Sequence, residues 1–185
     1  MNLPNKITVF RMFVAPVFLM IYLLNIPHNY LIASVIFLIG AITDAIDGNL
    51  ARKRNLVTNF GKLLDPIADK MLVTACMLCF MKDGLCNIWL VMIMLSREFA
   101  VTSFRLVASS QGIVIPANIF GKVKTAMQMS FSVVIMLLCE SEFIFSLGLP
   151  TVIISNILML VTTIMSVVSG IIYMVKGAKL IDIKK

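Results

Sequence analysis

The chain is short of charge, of histidine and of any long polar stretch. Charged residues fill 14% of its 185 positions, where soluble domains carry roughly a quarter. Hydrophobic residues fill 60%, and mean hydropathy is +1.01. So little charge excludes an ordinary water-facing domain, because the excess apolar surface needs another surrounding. The chain has one histidine, His28, and four cysteines, Cys76, Cys79, Cys86 and Cys139. Cys76 and Cys79 form a CxxC, yet they lie one helical turn apart in an apolar run, with no second ligand pair and no βαβ context. They are expected to be small apolar fillers, not a zinc or redox site, and the methionines are expected to fill apolar space in the same way. Repeats, low-complexity tracts and linkers are also missing, so one domain over 1–185 is expected.

The net charge is +7. No basic run is interleaved with exposed aromatics or stands outside a hydrophobic context, which excludes nucleic acid as a partner. Basic residues so placed are expected beside anionic headgroups or anionic substrates.

A helical membrane span needs about 20 mainly apolar residues. Six stretches qualify, near 7–25, 30–50, 63–82, 87–108, 125–145 and 150–175, separated by short polar breaks. The first resembles a signal peptide in its charge and apolar run. It lacks a small-x-small cleavage site, and Pro16 interrupts it, so it reads as a retained span. With the N-terminus in the cytoplasm, fifteen of the sixteen Lys and Arg residues fall on cytoplasmic ends and loops, Arg97 being counted with the cytoplasmic half. Lys82, beside Asp83, is the exception. By the positive-inside rule this predicts an all-α integral membrane protein of the cell membrane, with six transmembrane helices, multi-pass, both termini cytoplasmic.

A charged side chain inside a span costs about 2.5–3.5 kcal/mol on insertion scales, so each one there asks for a reason. Asp44 and Asp47 end the second span, Asp65 and Asp69 begin the third, and Arg97 and Glu98 lie within the fourth. Successive helical residues turn by about 100°. Asp44, Asp47, Gly48 and Ala51 therefore share one face, as do Asp65 and Asp69, with Gly61 a turn earlier. The two helices are consecutive and antiparallel, so four carboxylates can converge near the cytoplasmic face. Arg52 and Lys70 offset only part of that repulsion. Carboxylates are hard ligands suited to magnesium, manganese or calcium, and magnesium keeps positions open for substrate phosphates. Gly48, Ala51 and Gly61 clear side-chain bulk beside the acids, so that a phosphorylated ligand can approach the backbone. Tight helix packing through small residues is the alternative use.

Read whole, the stretch is Asp44-x2-Asp47-Gly48-x2-Ala51-Arg52-x8-Gly61-x3-Asp65-x3-Asp69. It matches every defined position of the signature of the CDP-alcohol phosphotransferase (CDP-alcohol phosphatidyltransferase) family. Shorter segments resemble the phosphatidylglycerophosphate synthase branch of that family. These are Asn2 to Thr8, Leu64 to Lys70, Ser96 to Phe99, and Ala117 to Thr125. The resemblance runs from about residue 2 to residue 128, and the last third matches only as hydrophobic spans. It implies that Asp44, Asp47 and Asp65 hold divalent metal, magnesium or manganese. Asp69 would stand near the metal and act as general base. Gly48, Arg52 and Thr58 match positions that contact the CDP-linked lipid, to which Ala51 and Gly61 would add open wall. Asn5 and Thr8 match a segment near the nucleotide. A homodimer with its active site open to the cytoplasmic leaflet is also implied.

The implied reaction joins CDP-diacylglycerol to sn-glycerol 3-phosphate and releases CMP. An acceptor that is itself a phosphate needs cations. Arg97 and Arg105 are eight residues apart, about 80° around a helix. Lys122 and Lys124 precede the fifth span. These four are the expected glycerol-phosphate site, Arg being suited to bidentate contact. Plain positive-inside anchoring is the other reading of the two lysines, and pairing with Glu98 or a backbone carbonyl is the other reading of Arg97. Rival functions are the same chemistry on another acceptor (the cardiolipin, inositol-phosphate or serine branches), a cation transporter, and an inactive scaffold. A transporter predicts charges spread through the membrane depth, whereas these cluster at one face.

Overall fold

Each of the six apolar stretches becomes an α-helix. The computed structural model describes the backbone of residues 3–53, 59–111, 113, 119–146 and 148–178; the side chains of 3–7, 44–53, 59–66 and 69 lie outside the description. The helices are α1 (Leu3–Leu23), α2 (Asn29–Lys53), α3 (Asn59–Lys82), α4 (Ile88–Ser110), α5 (Ile119–Phe145) and α6 (Thr151–Ala178). There is no strand among the described residues. At the starts of α1, α3 and α5 and the ends of α2 and α6 the helices overrun the apolar runs by several residues, because a backbone that leaves an apolar region keeps its hydrogen bonds by staying helical. α1 continues through Pro16 without a break.

Among the described residues, α5 and α6 are each long and apolar enough to cross a bilayer, and 8–23 and 29–43 form shorter apolar stretches. The distribution of side chains is the reverse of a soluble bundle. Phe13, Trp89, Ile119 and Phe145 are each more than 65% exposed, while Arg11, Lys124, Gln128, Ser132 and Thr162 are buried. An apolar exterior around a partly polar interior is what a lipid surrounding selects.

One end of the bundle is tied by hydrogen bonds between successive turns. Tyr22 at the end of α1 donates to Asp83 beyond α3 at 2.9 Å, and Tyr30 on α2 reaches the same oxygen at 3.4 Å. Lys82 pairs with Asp83 at 3.3 Å. His28 Nδ1 lies 2.6 Å from Glu140 of α5, whose other oxygen accepts from the Leu31 amide at 3.2 Å. Asn156 of α6 donates to the Gly84 carbonyl at 3.2 Å. Asn87 caps α4 by accepting from the Trp89 amide at 2.9 Å, as N-cap side chains do. These contacts gather the ends of α1, α3 and α5 with the starts of α2, α4 and α6. The chain therefore runs up and down, and the aspartate-bearing parts of α2 and α3 belong to the other end.

Among the described residues, α1 packs on both α2 and α3, which touch one another only slightly; α4 and α5 pack on α6, and α2 meets α5. Gly40 of α2 lies against both α1 and α3. A methyl group there would stand 2.5 Å from Leu72 Cδ2 and 3.4 Å from Val14 Cγ1. Phe18, Phe37, Cys76, Phe80, Met94 and Ile135 fill the adjoining core. Cys76, Cys79 and Cys86 are buried and unbridged, as fillers should be. Burial pushes the Cys86 thiol, in the turn before α4, up to about 11, which leaves it inert as a nucleophile at neutral pH.

Candidate active site

Asp44, Asp47, Gly48, Ala51 and Arg52 fall on the C-terminal part of α2, and Gly61, Asp65 and Asp69 on the N-terminal half of α3. Their side chains, and that of Asn5 in the first turn of α1, lie outside the described residues; Thr58 lies outside them entirely. The donor set of the motif is four carboxylates with no imidazole or thiolate, which fits a hard divalent cation. Among the described residues, no three His, Cys, Asp or Glu side chains gather to hold a metal. Thr8, one turn beyond Asn5, is 4% exposed and has a partner.

The described part of this end is organised around Glu98. Glu98 Oε1 accepts from Arg97 Nη1 at 2.8 Å and from Lys124 Nζ. Arg97 also donates through Nε to the Ser166 carbonyl at 2.9 Å and through Nη2 to Ser169 Oγ at 2.7 Å. Gly170 makes room for this guanidinium: a methyl group there would stand 3.0 Å from both Arg97 Cγ and Nε. The Glu98 carbonyl accepts from Thr102 Oγ1 at 2.8 Å, and Lys70 of α3 bonds the same hydroxyl. One carboxylate thus links α4 to α5, its arginine neighbour links α4 to α6, and Thr102 links α4 to the helix that carries Asp69. Lys124 is only 4% exposed. A buried ammonium without a counter-ion costs several kcal/mol (~3–5 on removal of one partner), and Glu98 meets that need.

The four expected acceptor cations do not form one group. α5 starts at Ile119, six residues ahead of the apolar run, so Lys122 and Lys124 sit in its first two turns and not ahead of it. Two residues on a helix are about 200° apart; Lys122 is exposed and Lys124 buried. Arg97 is held against α6 through Ser166 and Ser169, whereas Arg105 is exposed.

A cavity of about 40 Å³ adjoins the cluster, with Lys70, Thr74, Glu98, Lys124, Thr125 and Gln128 among its walls. It has room for roughly one or two waters. Beside it an apolar groove of about 660 Å³ runs between α1, α3 and α4, past Leu19, Met71, Leu78, Phe99 and Leu106, and reaches Lys70 and Thr102. The site end therefore combines cations, a metal-suited acid set on adjoining helices and an apolar channel.

A family model described as CDP-alcohol phosphatidyltransferase matches residues 1–173. The chain belongs to the CDP-alcohol phosphatidyltransferase family. A Bacillus subtilis (strain 168) protein named CDP-diacylglycerol–glycerol-3-phosphate 3-phosphatidyltransferase is 46% identical over 136 residues, covering 67% of this chain and 70% of that protein. A Rickettsia bellii (strain RML369-C) protein of the same name is 32% identical over 172 residues, covering 93% of each chain. A Mycobacterium tuberculosis (strain ATCC 25618 / H37Rv) protein named probable phosphatidylglycerophosphate synthase is 33% identical over 181 residues, covering 96% of this chain and 82% of that protein. Membership in this phosphatidyltransferase family, together with the apolar helices, marks the chain as a membrane enzyme. The match extends well past the point where the signature and its flanking segments end, so α6 belongs to the family domain too.

The pairing of Arg97 with Glu98 and with a backbone carbonyl is present as the alternative reading had it, but sequence reasoning missed that the carbonyl and a third partner belong to α6. Its signal was present: Ser166, Ser169 and Gly170 recur at helical spacing, a narrow strip of small residues in an otherwise bulky span. Arg11, counted among the cytoplasmic charges, is 1% exposed and has a partner, a burial that its position in the sequence did not signal.

Proposed function

We propose that this enzyme transfers the phosphatidyl group of CDP-diacylglycerol to sn-glycerol 3-phosphate, giving phosphatidylglycerophosphate and CMP. The observation that carries the reading is the intact eight-position motif on α2 and α3, in a chain whose relatives bear that activity in their names. A hydroxyl oxygen of glycerol phosphate attacks the phosphatidyl phosphorus. A new P–O bond forms, the P–O bond to CMP breaks, and the hydroxyl proton passes to Asp69. Asp44, Asp47, Asp65 and Asp69 would hold magnesium or manganese. Such an ion would supply neutralising charge at the diphosphate and so make CMP a better leaving group. Arg97 and Lys124 supply positive charge for the acceptor's phosphate, and the groove beside Lys70 and Thr102 suits an acyl chain. The same reading has six membrane spans, both termini and the site on the cytoplasmic side, and a homodimer.

The test is CMP release by purified protein in detergent, with magnesium and CDP-diacylglycerol, one acceptor at a time. Release that depends on glycerol phosphate supports the proposal. Release only with inositol phosphate, serine or phosphatidylglycerol keeps the family chemistry and overturns the acceptor.

A further inference from the structure

We infer that Glu98 is a positioning residue for the acceptor's phosphate: its shared oxygen sets Arg97 and Lys124 as a preformed pair of donors. The inference rests on the proposed acceptor and goes beyond it, since it assigns a role to an acid where the reaction calls for cations.

Arg97 and Lys124 come from different helices and converge on one oxygen, Glu98 Oε1. Three separate groups, Glu98, Ser166 and Ser169, engage Arg97 at Nη1, Nε and Nη2. A guanidinium has five N–H donors, so two are left for a ligand. The side chains of Arg97 and Glu98 keep 14% and 22% exposure, so the cluster can still be reached from outside. Lys70 lines the same small cavity as Glu98 and Lys124. Without Glu98, Arg97 and Lys124 would lose the acid they share, and like charge would act between them. They would move apart, and a phosphate would have to gather them at its own cost. Donors held before the ligand arrives spare that cost. An acid that holds cations in place raises affinity for an anion, whereas simple charge counting says that its removal should do so.

The experiment is steady-state kinetics on the purified full-length enzyme, varying each substrate against saturating partner, for wild type, Glu98→Gln, Glu98→Asp and Ser169→Ala. Thermal unfolding of each variant runs alongside. The inference expects Glu98→Gln to raise the KM for glycerol phosphate by about tenfold or more, with the KM for CDP-diacylglycerol within about twofold. Glu98→Asp, which keeps the charge but shortens its reach, should recover part of the loss. Ser169→Ala, which loosens Arg97 with no change of charge, should raise the same KM by about threefold. Inorganic phosphate, used as a competitive probe against glycerol phosphate, should weaken in parallel.

An unchanged or lowered KM for glycerol phosphate in folded Glu98→Gln overturns the inference, the lowered value being what bare charge predicts. So do equal shifts in both substrates' KM values. If Glu98→Gln does not fold, Glu98→Asp and Ser169→Ala decide, and an unchanged acceptor KM in both overturns it. Wild-type enzyme that uses glycerol phosphate normally while these variants show no split leaves the proposed function standing and removes only this step. Wild-type enzyme that accepts only an alcohol without phosphate removes both.

Discussion

Asp69→Asn exchanges a carboxylate for an amide of nearly the same shape, so it separates proton transfer from packing. Its expected effect is a fall in CMP release of at least ~100-fold, the contribution of a positioned general base, with the thermal midpoint little changed. Arg97→Ala tests the acceptor side. It should raise the KM for glycerol phosphate far more than that for CDP-diacylglycerol; equal losses would mark Arg97 as a structural residue only. Tyr22→Phe probes the opposite end, away from the chemistry. Tyr22 is 2% exposed and donates to Asp83. Removing its hydroxyl should cost about 1–3 kcal/mol, seen as a lower thermal midpoint with unchanged kinetics. Single residues were legible in proportion to how unusual their surroundings were. Arg97 and Glu98 stood out because charges in an apolar run need partners. Ser166 and Ser169 did not, since hydroxyls in a span can satisfy themselves on the preceding turn, as Thr162 and Thr163 do here at 2.9 and 2.7 Å.

Among helices, α1 has the most consequential place. It lies against both α2 and α3, so the two motif-bearing helices are spaced by a third element as well as by their own loop. Apolar periodicity marked where each helix falls but could not reveal this, because a span hydrophobic on nearly all sides does not announce its neighbours. Gly40 is the test at this scale. Gly40→Val would drive side-chain carbon into Leu72 and Val14, at a cost of about 1–3 kcal/mol for overpacking. The expected outcome is a lowered thermal midpoint together with reduced CMP release, since the spacing of α2 and α3 sets the spacing of their aspartates. A lowered midpoint with full activity would show that the acids are spaced by their loop instead. Helix ends were the least legible feature. The polar segment before α5 reads as loop from composition, yet helix begins at Ile119 and so divides Lys122 from Lys124.

Among the described residues, many apolar side chains face outward and several charges are gathered into partnered groups, Arg97, Glu98 and Lys124 near the proposed site and Asp83 and Glu140 at the opposite end. Fold class and family were legible because both follow from what a bilayer forbids: stray charge is costly, so four aspartates in a fixed pattern identify themselves. The cation arrangement was not legible, because it depends on how three distant helices rotate against each other. Removing divalent metal with a chelator should abolish CMP release, and adding magnesium or manganese should restore it; activity that persists in excess chelator would refute the metal assignment. The assembly is checked by the mass of the purified particle corrected for detergent, expected at two chains.

The seat of Arg97 also bears on how the chain is made. The arginine and its acceptor at Ser166 are 69 positions apart. At synthesis rates of about 5–20 residues per second, α4 waits several seconds for α6. In that interval Glu98 is the partner that Arg97 has on its own helix. In the proposed six-span reading the neighbouring acid would let α4 enter the bilayer as a neutral pair, and arrival of α6 would then convert that provisional arrangement into the finished one. A ribosome-bound chain stopped before Ser166 should therefore hold α4 in the membrane, whereas the same chain carrying Glu98→Ala should let it slip back toward water.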